Sequence, residues 1–348
     1  MTQQKAFKRA VRERMRRTRE PYTAARMHAL AKQPVPAVAV TNGESVARTL
    51  KEGGLADVVI AWRDILHDGP VPALPPARLR KVRAAHLAAA HQLNASEVEA
   101  HLAADDAALR RHASHDLTLW FEADLHDQLQ LIQVLSRLGR YVKRPRVRMI
   151  SIGEHPDRAR FGGLGELTAA QLETLRPLAR PITSEGIELA TRAWQAFTAS
   201  EPSALVALAG VVSGELRYVG DAVSRLLQEY PSASDGLSLT QRRILLAVDR
   251  GAGTFAEVLR AHWRTEQHPF LGDRGCMAEL HRLAAADSPA LSASDGRYAL
   301  TDFGRNLLAG AVEWVKINGI ERWIGGVHLT GRETTLRYDE RLETLVTP

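Results

Sequence analysis

One cysteine, Cys276, occurs among the 348 residues of the chain. A disulfide within the chain and a cysteine-based zinc site are therefore excluded, as is usual for proteins of a reducing compartment. Long apolar runs are also missing, because the longest, at residues 204–212, has about half of the roughly 20 residues that a membrane-spanning helix needs. We therefore expect a cytoplasmic protein without a membrane span.

Several sequence signatures of enzymes are absent as well. We find no Walker loop, dinucleotide fingerprint, zincin helix or nucleophile elbow, and Cys276 lacks the context of a catalytic nucleophile. A candidate site must therefore be identified from the positions of polar residues relative to the predicted strands and helices. The composition is globular, with 45% hydrophobic residues, and the length predicts two or three domains.

The formal net charge of +6 is concentrated at one end of the chain. Residues 1–34 hold 10 Lys and Arg residues against 2 Asp and Glu, which leaves 36 basic and 38 acidic residues for the rest. We predict a basic disordered arm over residues 1–34, because a block of like charge with little apolar patterning does not pack. The arm is a solvated tail, an over-extended start with translation beginning near Met15 or Met27, or a segment that attracts nucleic acid.

Four apolar runs separated by helical segments predict a parallel sheet that is covered on both faces. The runs lie at residues 37–40, 58–62, 117–121 and 146–152, and we assign residues 35–160 to a Rossmann-like α/β domain. Residues 77–113 are rich in Ala, Leu, Arg and His and predict a helical insertion in this domain. Residues 161–235 also show helical spacing and form a predicted helical middle section.

The sequence pattern of the last third, residues 236–348, predicts three helices followed by a strand pair around the Ser294-Asp295-Gly296 turn. This order is typical of a winged-helix unit, a variant of the helix-turn-helix. The predicted fold is thus α/β, with a Rossmann-like N-terminal domain, a helical section and a winged-helix-like C-terminal domain. The third of these helices has balanced charge, which favours packing or protein interaction over DNA binding.

Polar residues follow all four predicted strands. Ligands bind to open parallel sheets at the carboxyl ends of the strands, and these four ends share one edge of the sheet. We therefore expect a functional site at this edge. The ligand-binding candidates are Asn42, Gly43, Glu44, Ser45, Arg63 and Glu154, and the catalytic candidates are Glu122, Asp64 and His126.

Three carboxylates, Glu122, Asp124 and Asp127, come directly after the third strand. With Asp64 they offer oxygen ligands for Mg²⁺ or Mn²⁺ against a substrate phosphate. Alternatively, crowded carboxylates raise one another's pKa, so that one acts as an acid while another acts as a base. A third interpretation is structural, because Asp124 and Asp127 also favour the first turn of the following helix.

Other polar residues have less specific interpretations. The turn at residues 42–45 opens a helix whose free amides and dipole favour an anion such as phosphate, although such residues also cap ordinary helices. His126 and His155 are either acid–base partners or simply hydrogen-bonded or exposed residues. His112 and His115 have helical i, i+3 spacing without a metal signature, so we expect them on the surface.

Five segments carry a resemblance to a known family. They are NGES at 42–45, WRDILHDGP at 62–70, LWFEADLHDQL at 119–129, GLGEL at 163–167 and NGIERWIGGVHL at 318–329. Together they resemble a bacterial domain of unknown function, DUF eighteen-thirty-five, over about residues 37–330. The resemblance implies a bacterial protein but no established reaction and no assigned catalytic residues. The family pattern usually has Asp where Glu44 stands, so this chain has a longer side chain there.

The sequence therefore predicts binding of a small phosphorylated ligand or nucleotide at the strand ends. If the protein is an enzyme, we expect a Mg- or Mn-dependent hydrolase or transferase. The alternative is a non-catalytic regulator or interaction protein whose winged-helix unit contacts DNA or a protein partner. Nucleic acid would bind to that unit or to the basic arm.

Overall fold

The computed structural model describes residues 3–23, 25–26, 36–158, 160–333 and 336–347. Its N-terminal part is a five-stranded sheet with the strand order β2-β1-β3-β4-β5. The first four strands run parallel, and β5 is antiparallel to β4. The strands are β1 (Val38–Asn42), β2 (Val58–Trp62), β3 (Asp116–Glu122), β4 (Arg146–Ile152) and β5 (Arg180–Pro181). The sequence pattern misses β5, since a two-residue strand has no readable alternation.

Both faces of the sheet are covered, because successive side chains of a strand point to opposite faces. One face packs against α5 (Leu125–Tyr141), and the other packs against α2 (Gly43–Glu52) and α6 (Ala169–Leu175). On its other side, α5 contacts α7 (Ser184–Thr198) and α9 (Val219–Leu227). A short helix, α8 (Ser203–Val206), lies between α7 and α9 in the chain. Helix α5 is therefore buried along most of its length.

Two helices, α3 (Pro76–His91) and α4 (Ala95–His112), occupy the insertion between β2 and β3. Arg83 of α3 is fully buried and fixes the connection that follows β2. Its Nε atom donates to Oδ1 of Asp64 at 2.9 Å, and its Nη atoms donate to the carbonyl oxygens of Ile65, Asp68 and Pro70. The buried guanidinium is thus surrounded by acceptors, as its desolvation requires.

A second hydrophobic core lies in the last third of the chain. Three helices, α10 (Leu239–Asp249), α11 (Phe255–Thr265) and α12 (Asp273–Ala284), are followed by a hairpin of β6 (Leu291–Ser294) and β7 (Arg297–Leu300). Two short helices follow, α13 (Asp302–Leu308) and α14 (Trp314–Asn318). The helices and the hairpin occur in the order that the sequence predicts.

The end of the chain returns to the first core. It forms two further hairpins, from β8 (Ile320–Ile324) with β9 (Val327–Gly331) and from β10 (Arg337–Asp339) with β11 (Thr344–Val346). Ile324, Val327 and Leu329 pack into the core of the sheet, and Val71 donates its N–H to the carbonyl of Gly325 at 2.7 Å. This part of residues 236–348 therefore packs with the sheet, which the sequence pattern does not reveal.

The N-terminal segment differs from its prediction. Residues Gln3–Thr18 form a helix, α1, so the expectation of disorder is wrong for this stretch. The segment contains Ala, Arg, Lys, Gln and Glu, which favour helices, and it has no Gly or Pro. Residues 1–2, 24 and 27–34 of the predicted arm lie outside the described residues. Within the described part of the chain, no helix is both long and apolar enough to cross a membrane.

Replacement of Arg83 by Met tests the buried ion pair. We expect Arg83→Met to lower the free energy of unfolding by on the order of 3–5 kcal/mol, because Asp64 is left buried without its cation. Adding Asp64→Asn to this variant should restore part of the loss. Urea unfolding measures both effects.

The matched control is Arg146→Met, which removes an exposed pair with Asp116 and should cost less than about 1 kcal/mol. Equal losses for Arg83→Met and Arg146→Met would show that the buried pair does not hold this connection.

Candidate functional site

The carboxyl ends of β1 and β3 are joined by one side chain, Asp127. Its Oδ1 accepts a hydrogen bond from Nδ2 of Asn42 at 2.6 Å, and its Oδ2 accepts the N–H of Glu122 at 2.7 Å. Asp127 lies in the first turn of α5, and Asp124 caps the same helix by accepting the N–H of Asp127 at 3.0 Å. The strand ends and the start of α5 therefore form one hydrogen-bonded unit.

The three predicted carboxylates do converge. Glu122, Asp124 and Asp127 each offer an oxygen, and these atoms lie within 4.8 Å of one another. Glu122 also accepts the N–H of Leu164 at 2.6 Å, and a Cβ at Gly163 would collide with its Oε2. Gly163 has a φ of +134°, so only glycine suits this close approach. The loop at residues 163–165 thus closes one side of the carboxylate cluster.

Burial makes these carboxylates difficult to ionise. Desolvation raises the pKa of Glu122 and of Asp127 well above their ordinary values, and the neighbouring carboxylates add to both shifts. Desolvation also raises the pKa of Asp124 to about 6, although the N–H of Asp127 opposes this change. The carboxyl oxygens of Glu122 and Asp124 lie within 4.8 Å of one another, so a proton on one carboxyl group relieves the repulsion between them.

Asp64 does not join this cluster. Its carboxylate is held by Arg83, as described above, so its predicted role as a catalytic residue or metal ligand lacks geometric support. Its backbone oxygen is used as well, because Nε2 of Gln130 donates to it at 2.9 Å. The sequence could not indicate this pairing, since Arg83 lies in the helical insertion.

Arg63 and Glu44 form an ion pair at the same edge of the sheet. Nε of Arg63 donates to Oε1 of Glu44 at 2.6 Å, and Nη1 pairs with buried Asp105 of α4. Desolvation raises the pKa of Asp105 to about 6. Ser45 is exposed in the first turn of α2. Arg63 therefore places a cation at the edge, next to the start of α2.

The start of α2 has no side-chain cap. Asn42 occupies the N-cap position, but its side chain makes no cap hydrogen bond, because it is used by Asp127 and His126. Gly43 has a φ of +61° and open space where a Cβ would be. The turn at residues 42–45 therefore does not cap α2 through a side chain. The first backbone amides of α2 remain available to another acceptor.

His126 is part of a chain of hydrogen bonds that fixes its tautomer. The amide nitrogen of Asn42 points to Asp127, so its Oδ1 faces Nε2 of His126 at 3.2 Å and needs a proton there. Nε2 of Gln130 also lies 3.3 Å from this ring nitrogen, but its two hydrogens are directed to two backbone carbonyl oxygens. Nδ1 of His126 must then accept from Nδ1 of His67, which lies 3.2 Å away. The remaining lone pair is on Nε2 of His67, which has no hydrogen-bond partner among the described residues.

Both histidines are neutral near pH 7. Burial and, to a smaller extent, repulsion by His67 lower the pKa of His126 to about 3. Burial likewise lowers the pKa of His67 to about 4, against the opposing effect of Asp68. Two neutral rings can share the hydrogen bond between them, whereas two charged rings could not. His126 is thus a positioning residue, because both of its ring nitrogens are already used.

Sequence reasoning missed the part of the site that comes from the last third of the chain. The loop between α11 and α12 brings Phe270 against His67, with ring centroids 5.2 Å apart. His268 of the same loop lies beside Gly153, at the end of β4, where a Cβ would collide with it. His67 lies in the segment WRDILHDGP at residues 62–70, but nothing in the sequence pattern connects it with residues 266–272.

The remaining candidates lie apart from the cluster. Glu154 is exposed, and buried His155 stacks on Phe161 with ring centroids 6.3 Å apart. Nδ1 of His155 accepts the N–H of Asp157 at 3.2 Å, which is a local structural role. His112 and His115 are half-buried and contact each other, with ring centroids 5.1 Å apart.

Comparison with protein-family models finds no match to this chain, and none of the curated proteins matches its sequence. The resemblance to DUF eighteen-thirty-five therefore stays a prediction. What can be said of the function depends on the geometry at the sheet edge.

Asp124→Asn separates the charge of Asp124 from its role as a helix cap. Asn caps helices as well as Asp does, but it has no charge to desolvate. At pH 4 the native carboxyl is protonated in the folded chain and about half protonated in the unfolded chain, and well above pH 6 it is ionised in both. Without divalent cations, we expect nearly equal stability at pH 4 and a gain of about 2 kcal/mol for the variant at pH 7.5.

Urea unfolding at the two pH values measures this difference. A variant that is equally destabilised at pH 4 and pH 7.5 would contradict the raised pKa and leave only the capping role.

The hydrogen-bond chain predicts the tautomers of two histidines. At pH 7, we expect the proton of His126 on Nε2 and that of His67 on Nδ1. Long-range ¹H–¹⁵N correlation of the imidazole nitrogens distinguishes the two tautomers, and His67→Gln and His126→Gln assign the signals. A proton on Nδ1 of His126 would refute the direction of the chain.

Proposed function

We propose that the carboxyl edge of the sheet binds Mg²⁺ or Mn²⁺ together with a phosphate-containing or nucleotide ligand. The reaction class that suits this site is metal-dependent hydrolysis or group transfer on a phosphorylated substrate. The observation that supports it most is the convergence of Glu122, Asp124 and Asp127, whose burial makes three negative charges costly without a cation.

The donor set fits a hard cation. Glu122 uses Oε1 for the N–H of Leu164, and Asp124 uses Oδ1 for the N–H of Asp127, so each keeps a second oxygen for a ligand. A divalent cation would displace the protons that burial favours on these two carboxyl groups. Asp127 has both oxygens in use, so it would orient the other two more than it would coordinate.

The neighbouring groups favour a phosphate. The uncapped amides of α2 begin at Gly43, directly after Asn42, which is hydrogen-bonded to the carboxylate cluster. Arg63 adds a cation at the same edge, and an incoming phosphate would compete with exposed Glu44 for its guanidinium. The anion site and the cation site are thus adjacent, as a metal-bound phosphate requires.

Each of these residues would have a separate role in binding or catalysis. A bound cation polarises a phosphoryl oxygen and supports a nucleophilic water. Glu122 and Asp124 would hold that cation, Arg63 would orient the phosphate, and Asn42 would keep Asp127 in place. Nε2 of His67 has no hydrogen-bond partner among the described residues. His67 therefore replaces His126 as the candidate for accepting a proton.

A regulatory protein is the second candidate. We infer a winged-helix-like arrangement for α10 to α12 with the β6–β7 hairpin, which is supported by a further bridge between Thr254 and Arg297. The contact of Phe270 with His67 would connect this unit to a ligand at the sheet edge. Under this alternative, ligand binding would alter contacts with DNA or a partner protein instead of leading to a reaction.

Metal binding is tested by thermal unfolding of the native chain and of Glu122→Gln. Glutamine keeps the shape of the side chain but removes the ligand charge. At about 100 times the dissociation constant, Mg²⁺ or Mn²⁺ should add about 2.7 kcal/mol to the stability of the native chain and little to that of the variant. The shift should be larger at pH 8 than at pH 5.5, because the cation must displace protons.

The control is Glu188→Gln, which removes an exposed carboxylate from α7 and should respond as the native chain does. Equal stabilisation of Glu122→Gln by the metal would refute the site. The same assay with nucleotides and phosphorylated metabolites, with and without metal, then identifies the ligand class.

A further inference from the structure

A groove between α10 and α11 lies outside the site at the sheet edge. It encloses about 460 Å³, and four arginines from the two helices and their ends line it. Arg243 comes from α10, Arg250 follows the end of α10, and Arg260 and Arg264 come from α11. The groove belongs to the three-helix unit in the last third of the chain.

Three of these arginines lack a partner. Arg250, Arg260 and Arg264 are exposed, and none of them has a hydrogen bond, an ion pair or a ring contact with any described residue. Arg243 is different, because its Nη1 lies 2.6 Å from Oε1 of Glu266. The groove therefore presents three free guanidinium groups beside one that is fixed.

The lining of the groove holds one acidic residue, Glu257, and its carboxylate is already used. Its Oε2 accepts the N–H groups of Gly253 and Thr254 at 3.0 and 2.9 Å, which caps α11. Arg260 and Arg264 are also four residues apart on one helix, an arrangement that places like charges next to each other. An anion in the groove would relieve this repulsion.

Many other arginines of this region are paired. Arg225 contacts Glu229 and Glu266, and Arg242 contacts Asp235. On α12, the charge of Arg282 is matched by Glu279. The positive surface of the unit thus lies on the α10–α11 side, whereas α12, which the helix order would nominate for DNA contact, is balanced.

The chemistry of the groove favours phosphate over an acidic protein surface. Guanidinium groups bind phosphate oxygens in a bidentate manner. A protein partner would need large apolar anchors, but the apolar residues in the lining are Leu246 and the small residues Ala247, Ala252 and Ala261. A nucleic-acid backbone needs only cations at a suitable spacing.

We propose that the groove between α10 and α11 binds the phosphodiester backbone of duplex nucleic acid through Arg250, Arg260 and Arg264. This contact is non-specific in sequence, because it involves the backbone alone. It does not depend on the function proposed for the sheet edge.

Fluorescence anisotropy with a labelled 20-base-pair DNA duplex tests the proposal on the full chain. The logarithm of the binding constant falls linearly with the logarithm of the salt concentration, by about 0.9 for each phosphate contact. The triple variant Arg250→Gln, Arg260→Gln and Arg264→Gln should therefore reduce this slope by up to about 2.7. The N-terminal basic segment is present in every sample, so its contribution cancels.

The control variant removes three exposed, unpaired arginines from elsewhere, Arg140→Gln, Arg144→Gln and Arg192→Gln. It has the same net charge as the groove variant, and its slope should equal that of the native chain. Equal loss in both variants, no change in the groove variant, or no binding by the native chain would each overturn the proposal. Competition by poly-glutamate as effective as that by unlabelled duplex would also overturn the assignment to nucleic acid.

Discussion

The carboxylate of Asp127 is the constraint on which the sheet edge depends. It accepts from Asn42 at the end of β1 and from the backbone of Glu122 at the end of β3, while its own N–H is held by Asp124. One side chain at the start of α5 thereby fixes two strands and a helix relative to one another. Gln130, one turn further along, extends the same function to the end of β2 by donating to the carbonyl oxygens of Trp62 and Asp64.

Burial shifts the pKa values of the carboxyl groups and of the histidines at this edge in opposite directions. Desolvation raises the pKa values of Glu122, Asp124 and Asp127, which favours protonated carboxyl groups, and it lowers those of His67 and His126, which favours neutral rings. The folded site is therefore less charged than its residue types suggest. A bound cation would favour the ionised form of the carboxylates without changing the protonation of the histidines. The carboxylates and the histidines would therefore have separate roles.

The sequence predicts the parallel sheet and its carboxylate cluster because both depend on local patterns. Buried strands appear as apolar runs, and Glu122, Asp124 and Asp127 follow one of them directly. The pairing of Asp64 with Arg83 and the approach of Phe270 to His67 depend on residues from an inserted hairpin and from a distant loop. No periodicity encodes such contacts. The helix at Gln3–Thr18 differs from the prediction for another reason: its charge density is typical of disorder, although its residue types favour helices.

The position of β1 between β2 and β3 has a consequence for how the chain folds. β1 pairs with β3 only across the helical hairpin of α3 and α4, whose own contacts are local. Loop closure of this kind slows folding, so the hairpin should form early and the pairing of β1 with β3 late. Asn42 and Asp127 come from the two sides of that closure. The connection between these two strand ends is therefore among the last parts of the molecule to assemble. An intermediate without it would keep the carboxylates of residues 122–127 together but would lack the hydrogen bond between Asn42 and Asp127.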